Sequence, residues 1–158
     1  MNEVFIHYGH DKFEIEKFIP VCNITFRNKP LGGLWASPTI DKDVSWEDWC
    51  RDNEFRLELL EKSFKFKIRK DSNVLVVKST SDVESLPRIK EYNSPLGIKP
   101  IMNEDIDFEE IAKHYDAMMV YMYRNEDENC WLNSIYQQLY GWDVDTLLVF
   151  NPEIIELE

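Results

Sequence analysis

The chain predicts an α+β fold, and three observations carry that reading. Phe64-Lys65-Phe66-Lys67-Ile68-Arg69 alternates strictly between apolar and charged residues, the pattern of a half-buried strand. Apolar residues recur at helical spacing elsewhere, at Trp46, Trp49 and Cys50, at Phe108, Ile111, Ala112 and Tyr115, and at Trp131, Leu132, Ile135, Tyr136, Leu139 and Tyr140. Strands and helices follow one another without a regular βαβ repeat, which argues against a doubly wound parallel sheet. At 158 residues, the expected organisation is one domain over 1–158, with enough chain for a sizeable core.

Taken in order, Val4 to Gly9 reads as a first strand ended by glycine. Residues 11–19 alternate apolar and charged only in part, so helix and strand both stay open there. Pro20 interrupts them, Val21 to Phe26 reads as a second short strand, and Arg27 to Pro30 as a loop. The Gly32-Gly33 pair permits a turn or close approach that side chains would forbid. Leu34-Trp35-Ala36-Ser37 then forms a strand stopped by Pro38. Ser45 with Asp48 three residues on has the spacing of a capping box and starts a helix carrying Trp46, Trp49 and Cys50 on one face.

The alternating strand 64–69 is followed by a turn at Lys70 to Asn73 and by Val74 to Val77, and the pair is predicted to be a hairpin. Ser79 to Leu86 starts a short helix closed by Pro87. Residues 88–106, with two prolines and Gly97, are the longest irregular stretch. Asp107 caps the helix of Phe108 and Ile111, with Glu110 at the capping-box position. Asp116 to Met122 is a buried strand, Arg124 to Asn129 a charged loop, and the helix from Trp131 stops at Gly141, a C-terminal cap. Thr146 to Phe150 forms a last long strand before Asn151-Pro152 and the apolar Ile154-Ile155-Glu156-Leu157.

Composition narrows the function. A net charge of −12, from 18 basic and 30 acidic residues, argues against a surface that grips a nucleic-acid backbone. No apolar run has the length of a membrane span, and the Met1-Asn2-Glu3-Val4 start lacks the basic and apolar regions of a signal peptide, so a cytoplasmic protein is expected. Cys22, Cys50 and Cys130 are three and widely spaced, which points to free thiols rather than a disulfide framework. No metal-ligand spacing is present, nor a P-loop, a Gly-x-Gly-x-x-Gly or a Gly-x-Ser-x-Gly.

What carries chemistry is a set of points that would converge on one cleft: His7-Tyr8-Gly9 at the end of the first strand, Gly32 to Ser37, the Trp46/Trp49 face, and the acids Asp143 and Asp145. That ordered set resembles the ADP-ribosyltransferase fold in its diphtheria-toxin and poly(ADP-ribose) polymerase branch. The matching pieces are His7 with Gly9, then Gly33-Leu34-Trp35, then Ser45-Trp46-x-x-Trp49-Cys50, and then Asp145 through Phe150 to Asn151-Pro152. The resemblance implies mixed or antiparallel split sheets with short helices, and NAD as the cofactor. His7 would donate to a ribose hydroxyl of NAD, and the backbone near Gly9 would hold the nicotinamide carboxamide, as would Ser45. Trp35, Trp46 or Trp49 would stack on the cationic nicotinamide ring. A carboxylate beneath the ribose would stabilise the oxocarbenium-like charge as the nicotinamide leaves. The cations nearest in sequence to a bound pyrophosphate would be Arg27, Lys29 and Lys12.

The chain departs from the family where its acid should lie. The family's glutamate corresponds to Thr146, and Asp145 is one residue early, a shift that turns a strand side chain to the other face. A bulge would restore it, and Asp143 would share a face with Asp145. Tyr8 separates His7 from Gly9, and Trp35 stands where the family has tyrosine. Two functions follow: an NAD-dependent ADP-ribosyltransferase or NAD glycohydrolase, or a binding module of the same fold that has lost the acid. The resemblance names no acceptor or protein partner. Plainer roles stand beside these: His7 as a structural histidine, Trp46 and Trp49 as core, and Ser79-Thr80-Ser81 as a helix cap rather than the family's Ser-Thr-Ser motif.

Overall fold

A computed structural model describes residues 3–39, 45–92, 98, 104–124 and 134–158. Its centre is a seven-stranded sheet, α+β in class as expected. The strands in chain order are β1 (Phe5–Tyr8), β4 (Leu34–Pro38), β5 (Ser63–Ile68), β6 (Val74–Val77), β7 (Ala117–Val120), β8 (Thr146–Val149) and β9 (Ile155–Leu157). A separate ribbon pairs β2 (Cys22–Ile24) with β3 (Arg27–Leu31). Four short α-helices, α1 (Trp46–Asp52), α2 (Thr80–Glu84), α3 (Phe108–Ala112) and α4 (Ser134–Gln138), and three 3-10 turns at Ile15–Lys17, Leu57–Glu61 and Pro152–Ile154 complete the described part.

Across the large sheet the order is β6-β7-β8-β4-β1-β5-β9, with only β6 and β7 parallel. The expected split sheets are one sheet whose halves share β4. The first residues of β4, Leu34 to Ala36, pair with Val149 to Leu147 of β8, whereas Ser37 and Pro38 pair with Ile6 and Phe5 of β1. β1 therefore parts from β4 after Ile6 but stays with β5 as far as Tyr8 opposite Ser63. The fork positions the site described below.

Period-two alternation sorts the side chains of the central strands into two cores. Leu34, Ala36, Leu147 and Val149 join Phe5, Phe66 and Met119 on one face. Trp35 and Leu148 pack on the other with Met118, Val120 and the helix residues Val83, Ile111 and Ile135. Ser79 and Asp107 cap α2 and α3 as expected, accepting from the backbone N–H of Asp82 and Glu110. Gly141 has a φ of +90°, which fits the expected helix end. Trp131, Leu132, Cys130 and most of the irregular and charged loops lie outside the described residues.

Three expectations are corrected. β5 and β6 do not form a hairpin: β5 lies between β1 and β9, while β6 pairs with β7. Asn73 explains the crossing, since its N–H donates to Asp116 Oδ2 and its side-chain amide to the His114 carbonyl, both 2.8 Å, at the entry to β7. The unbroken apolar run of β6 also suits parallel pairing better than the alternation of β5. Arg27 to Pro30 is not a loop but most of β3. Phe26, at a φ of 64°, makes the turn before it, and Pro30 is tolerated because a two-stranded ribbon consists of edges. Residues 11–19 are neither helix nor extended strand and hold only a 3-10 turn at Ile15–Lys17. Phe13 and Phe18, five apart, match neither period and pack against the core beside Phe64.

Candidate functional site

The fork between β1 and β4 is bridged by a side chain. His7 Nδ1 donates to the Trp35 carbonyl at 2.7 Å, where a backbone ladder would otherwise run. With Nδ1 protonated, neutral His7 can only accept at Nε2, and His10 Nδ1 meets that atom at 3.0 Å. Burial lowers the His7 pKa, the bond to Trp35 resists this, and nearby His10 adds to it. In this tautomer Nε2, the nitrogen not held by Trp35, is an acceptor and does not donate.

Trp35 is fixed from several sides. Its indole N–H donates to the Gly32 carbonyl at 2.9 Å, and its ring meets that of Trp142 at 4.6 Å. Glycine is favoured at 33: φ is +66°, and a Cβ there would lie 2.5 Å from Leu148 Cδ1 and 3.1 Å from the Val149 carbonyl oxygen. The ammonium of Lys29 sits 5.4 Å over the Trp35 ring and donates to the Gly141 carbonyl at 2.6 Å. Burial pulls the Lys29 pKa down, against the field of Asp143.

A cavity of about 280 Å³ opens at the fork, lined among others by His7, Tyr8, Trp35, Trp46, Asp143 and Thr146. Five of the residues expected at the site, His7, Tyr8, Trp35, Trp46 and Asp143, therefore do meet around one volume. The Tyr8 hydroxyl donates to Glu47 Oε2 at 3.1 Å, and burial and that carboxylate raise its pKa. Burial also raises the pKa of Asp143, opposed by Lys29.

The other expected residues fall elsewhere. Ser45 is occupied as the cap of α1, accepting from Asp48 N–H at 3.1 Å and donating to Asp48 Oδ2 at 2.9 Å. Trp49 stacks on Trp46 at 5.1 Å and presents an edge contact to Phe55, so it backs the lining ring instead of joining it. Gly9, with a φ of 107°, ends β1 and donates to the Lys62 carbonyl. Gly33 borders a second cavity of about 300 Å³ that shares His7 and includes His10, Phe13 and Phe64. Lys12 borders that cavity too and is paired with Glu14, while Arg27 lines neither cavity.

Asp145 is 4% exposed and outside the cavity. Its Oδ1 accepts from Tyr123 N–H at 2.8 Å and its Oδ2 from Arg124 Nε at 2.5 Å. β8 pairs with β7 in regular register from Val149 to Thr146, and Asp145, just before it, stays outside the cavity. Thr146 holds the cleft position instead and donates to the Val144 carbonyl at 2.7 Å. Asp143 and Asp145 do not share a face, since the chain bends at Val144 and loses the period of a strand.

Sequence reasoning missed Arg56 and Trp142 as lining residues, and met Thr146 only as the position where the family has its glutamate. Trp142 could have been found from its place just after the Gly141 cap. Arg56 offered no signal: it is an exposed residue just before a 3-10 helix, Leu57–Glu61, in a left-handed conformation, φ 46° and ψ 42°. Chemically, the site offers aromatic faces, an imidazole acceptor, a half-buried ammonium and one carboxylate. Among the described residues no cluster of three or more His, Cys, Asp or Glu could hold a metal ion. No helix among them is long and apolar enough to cross a membrane.

No protein-family model, curated protein or solved structure matches the chain.

Proposed function

We propose that this chain binds NAD in the cleft at the β1/β4 fork and holds it without cleaving it, as a binding module of the ADP-ribosyltransferase-like type. One observation carries the absence of turnover: the acid nearest the family's position, Asp145, is spent on Arg124, and Thr146 faces the cavity instead. Threonine supplies no negative charge to an oxocarbenium-like state. Binding is supported by the convergence of His7, Tyr8, Trp35 and Trp46 on one volume, with indole rings suited to a cationic heterocycle. The volume lies near the lower end of small-molecule pockets, about 300–1,000 Å³, and suits one half of a dinucleotide.

The test is a titration of the purified protein with NAD, followed by tryptophan fluorescence and indole N–H chemical shifts, together with chromatography for free nicotinamide. Saturable shifts at Trp35 and Trp46 with no nicotinamide are expected. Unshifted indole signals at millimolar NAD would dismiss the reading. Turnover is a second reading, favoured by Asp143 lining the same cavity as His7 and Trp35. It requires nicotinamide release that Asp143→Asn abolishes.

A further inference from the structure

We propose that Lys29 and Arg56 form an anion subsite in the same cavity and make it select a ligand that carries phosphate. The inference rests on pairing and place. In a chain with 30 acidic and 18 basic residues, a cation facing a cavity would be expected to find a carboxylate of its own. Lys12 and Lys17 share Glu14, Arg51 pairs with Glu47, Lys113 with Glu110, and Arg124 with Glu3 and Asp145. Lys29 and Arg56 both line the cavity, and neither has a carboxylate partner among the described residues.

Lys29 is anchored by a neutral carbonyl and an indole face, which leave its charge uncompensated at contact distance. Arg56 lies beside the Phe55 ring at 5.5 Å. Its left-handed backbone, an uncommon state for a residue with a long side chain, is the kind of local strain found at binding sites. Asp143 lines the cavity as well and offsets one positive charge, whereas Arg27 adds a third cation whose field reaches Lys29. Two like charges held towards one volume repel each other, and burial lowers the pKa of Lys29 further. An anion removes both penalties at once. An ammonium and a guanidinium arriving from separate elements suit a group with several oxygens and more than one charge, hence phosphate or pyrophosphate rather than a carboxylate.

The subsite deepens the NAD reading but can stand without it, and one experiment separates them. The full chain is titrated with inorganic pyrophosphate, with acetate and with NAD, at two salt concentrations, by calorimetry and indole chemical shifts. Pyrophosphate should bind and acetate should not, and salt should weaken the binding. Arg56→Gln and Lys29→Met should each lower pyrophosphate affinity about tenfold, the cost of one charge-assisted hydrogen bond, while Lys29→Arg retains most of it. Arg56 is exposed, so its variant should fold even if loss of the Lys29 bond to Gly141 unsettles the other; a thermal melt checks each. Pyrophosphate binding that needs both cations, without NAD binding, supports the subsite and removes NAD. NAD binding with unchanged affinity in Arg56→Gln and a folded Lys29→Met overturns the subsite and leaves the NAD reading intact. No pyrophosphate binding at low salt also overturns it.

Discussion

Asp145 Oδ2 accepts from Arg124 Nε at 2.5 Å, and this pair sets the acid on the opposite side of β8 from Trp35. Arg124 also reaches Glu3 at 3.1 Å and lies 4.9 Å from the centre of the Tyr121 ring. The carboxylate thus ties the exit of β7 to the entry of β8 and to the chain just before β1. Its role is structural.

Asp145→Ala should therefore lower stability without changing ligand binding in the cleft. Removing one partner of a buried pair costs about 3–5 kcal/mol, and the part-exposed Arg124 reduces this to about 2–3 kcal/mol. Urea denaturation measures the loss, and a titration of the folded fraction measures affinity. A stable variant with altered binding would refute this role.

Gly33→Ala should be among the most damaging small substitutions. The new methyl would meet Leu148 Cδ1 at 2.5 Å and the Val149 carbonyl at 3.1 Å, with φ at +66°. Left-handed strain and overpacking together predict a loss of about 2–4 kcal/mol. Thermal denaturation should show a melting temperature many degrees lower, and a drop of less than about 2 °C would contradict the close approach seen here.

The glycine pair, the caps at Ser45, Ser79 and Asp107, and the alternating strand 64–69 were all legible because each depends on local chemistry. Pairing was not. Asn73 reaches across 43 residues to Asp116, and no window of sequence shows that. The site divides in the same way. His7, Trp35 and Trp46 could be named from their motif, but the fate of Asp145 depended on Arg124, which sequence alone assigned to a solvated loop. Arg56 became visible only when the fold brought it to the cavity that Lys29 also lines.

Trp46 and Trp35 should separate binding from stability. Trp35 packs on Trp142 within the larger core, so Trp35→Ala should cost about 3–5 kcal/mol. Trp46 is half-buried and held chiefly by its stack on Trp49, so Trp46→Ala should cost about 1–2 kcal/mol yet still weaken NAD binding. Paired denaturation and titration experiments on the two variants give the comparison. Unchanged affinity in Trp46→Ala would remove that ring from the site.

Two cleft residues should leave opposite marks on the pH dependence of stability. His7 has its pKa lowered in the fold, so between its folded value and the unfolded value of 6.5 the unfolded chain binds more protons. Its contribution is whole above pH 6.5 and falls as the pH drops through that window. Asp143 has its pKa raised above 3.8, so its contribution is whole below the unfolded value and is lost as the pH rises through the folded one. At pH 7 the ionised Asp143 is therefore a net cost, and Asp143→Asn should stabilise the free protein there but not at pH 3. His7→Gln should flatten the rise in stability between pH 5 and 7 without that signature. Denaturation curves at pH 3, 5 and 7 for both variants test the signs. An Asp143→Asn protein that is less stable than the parent at pH 7 would mean that Lys29 outweighs burial, the reverse of the balance found in this cavity.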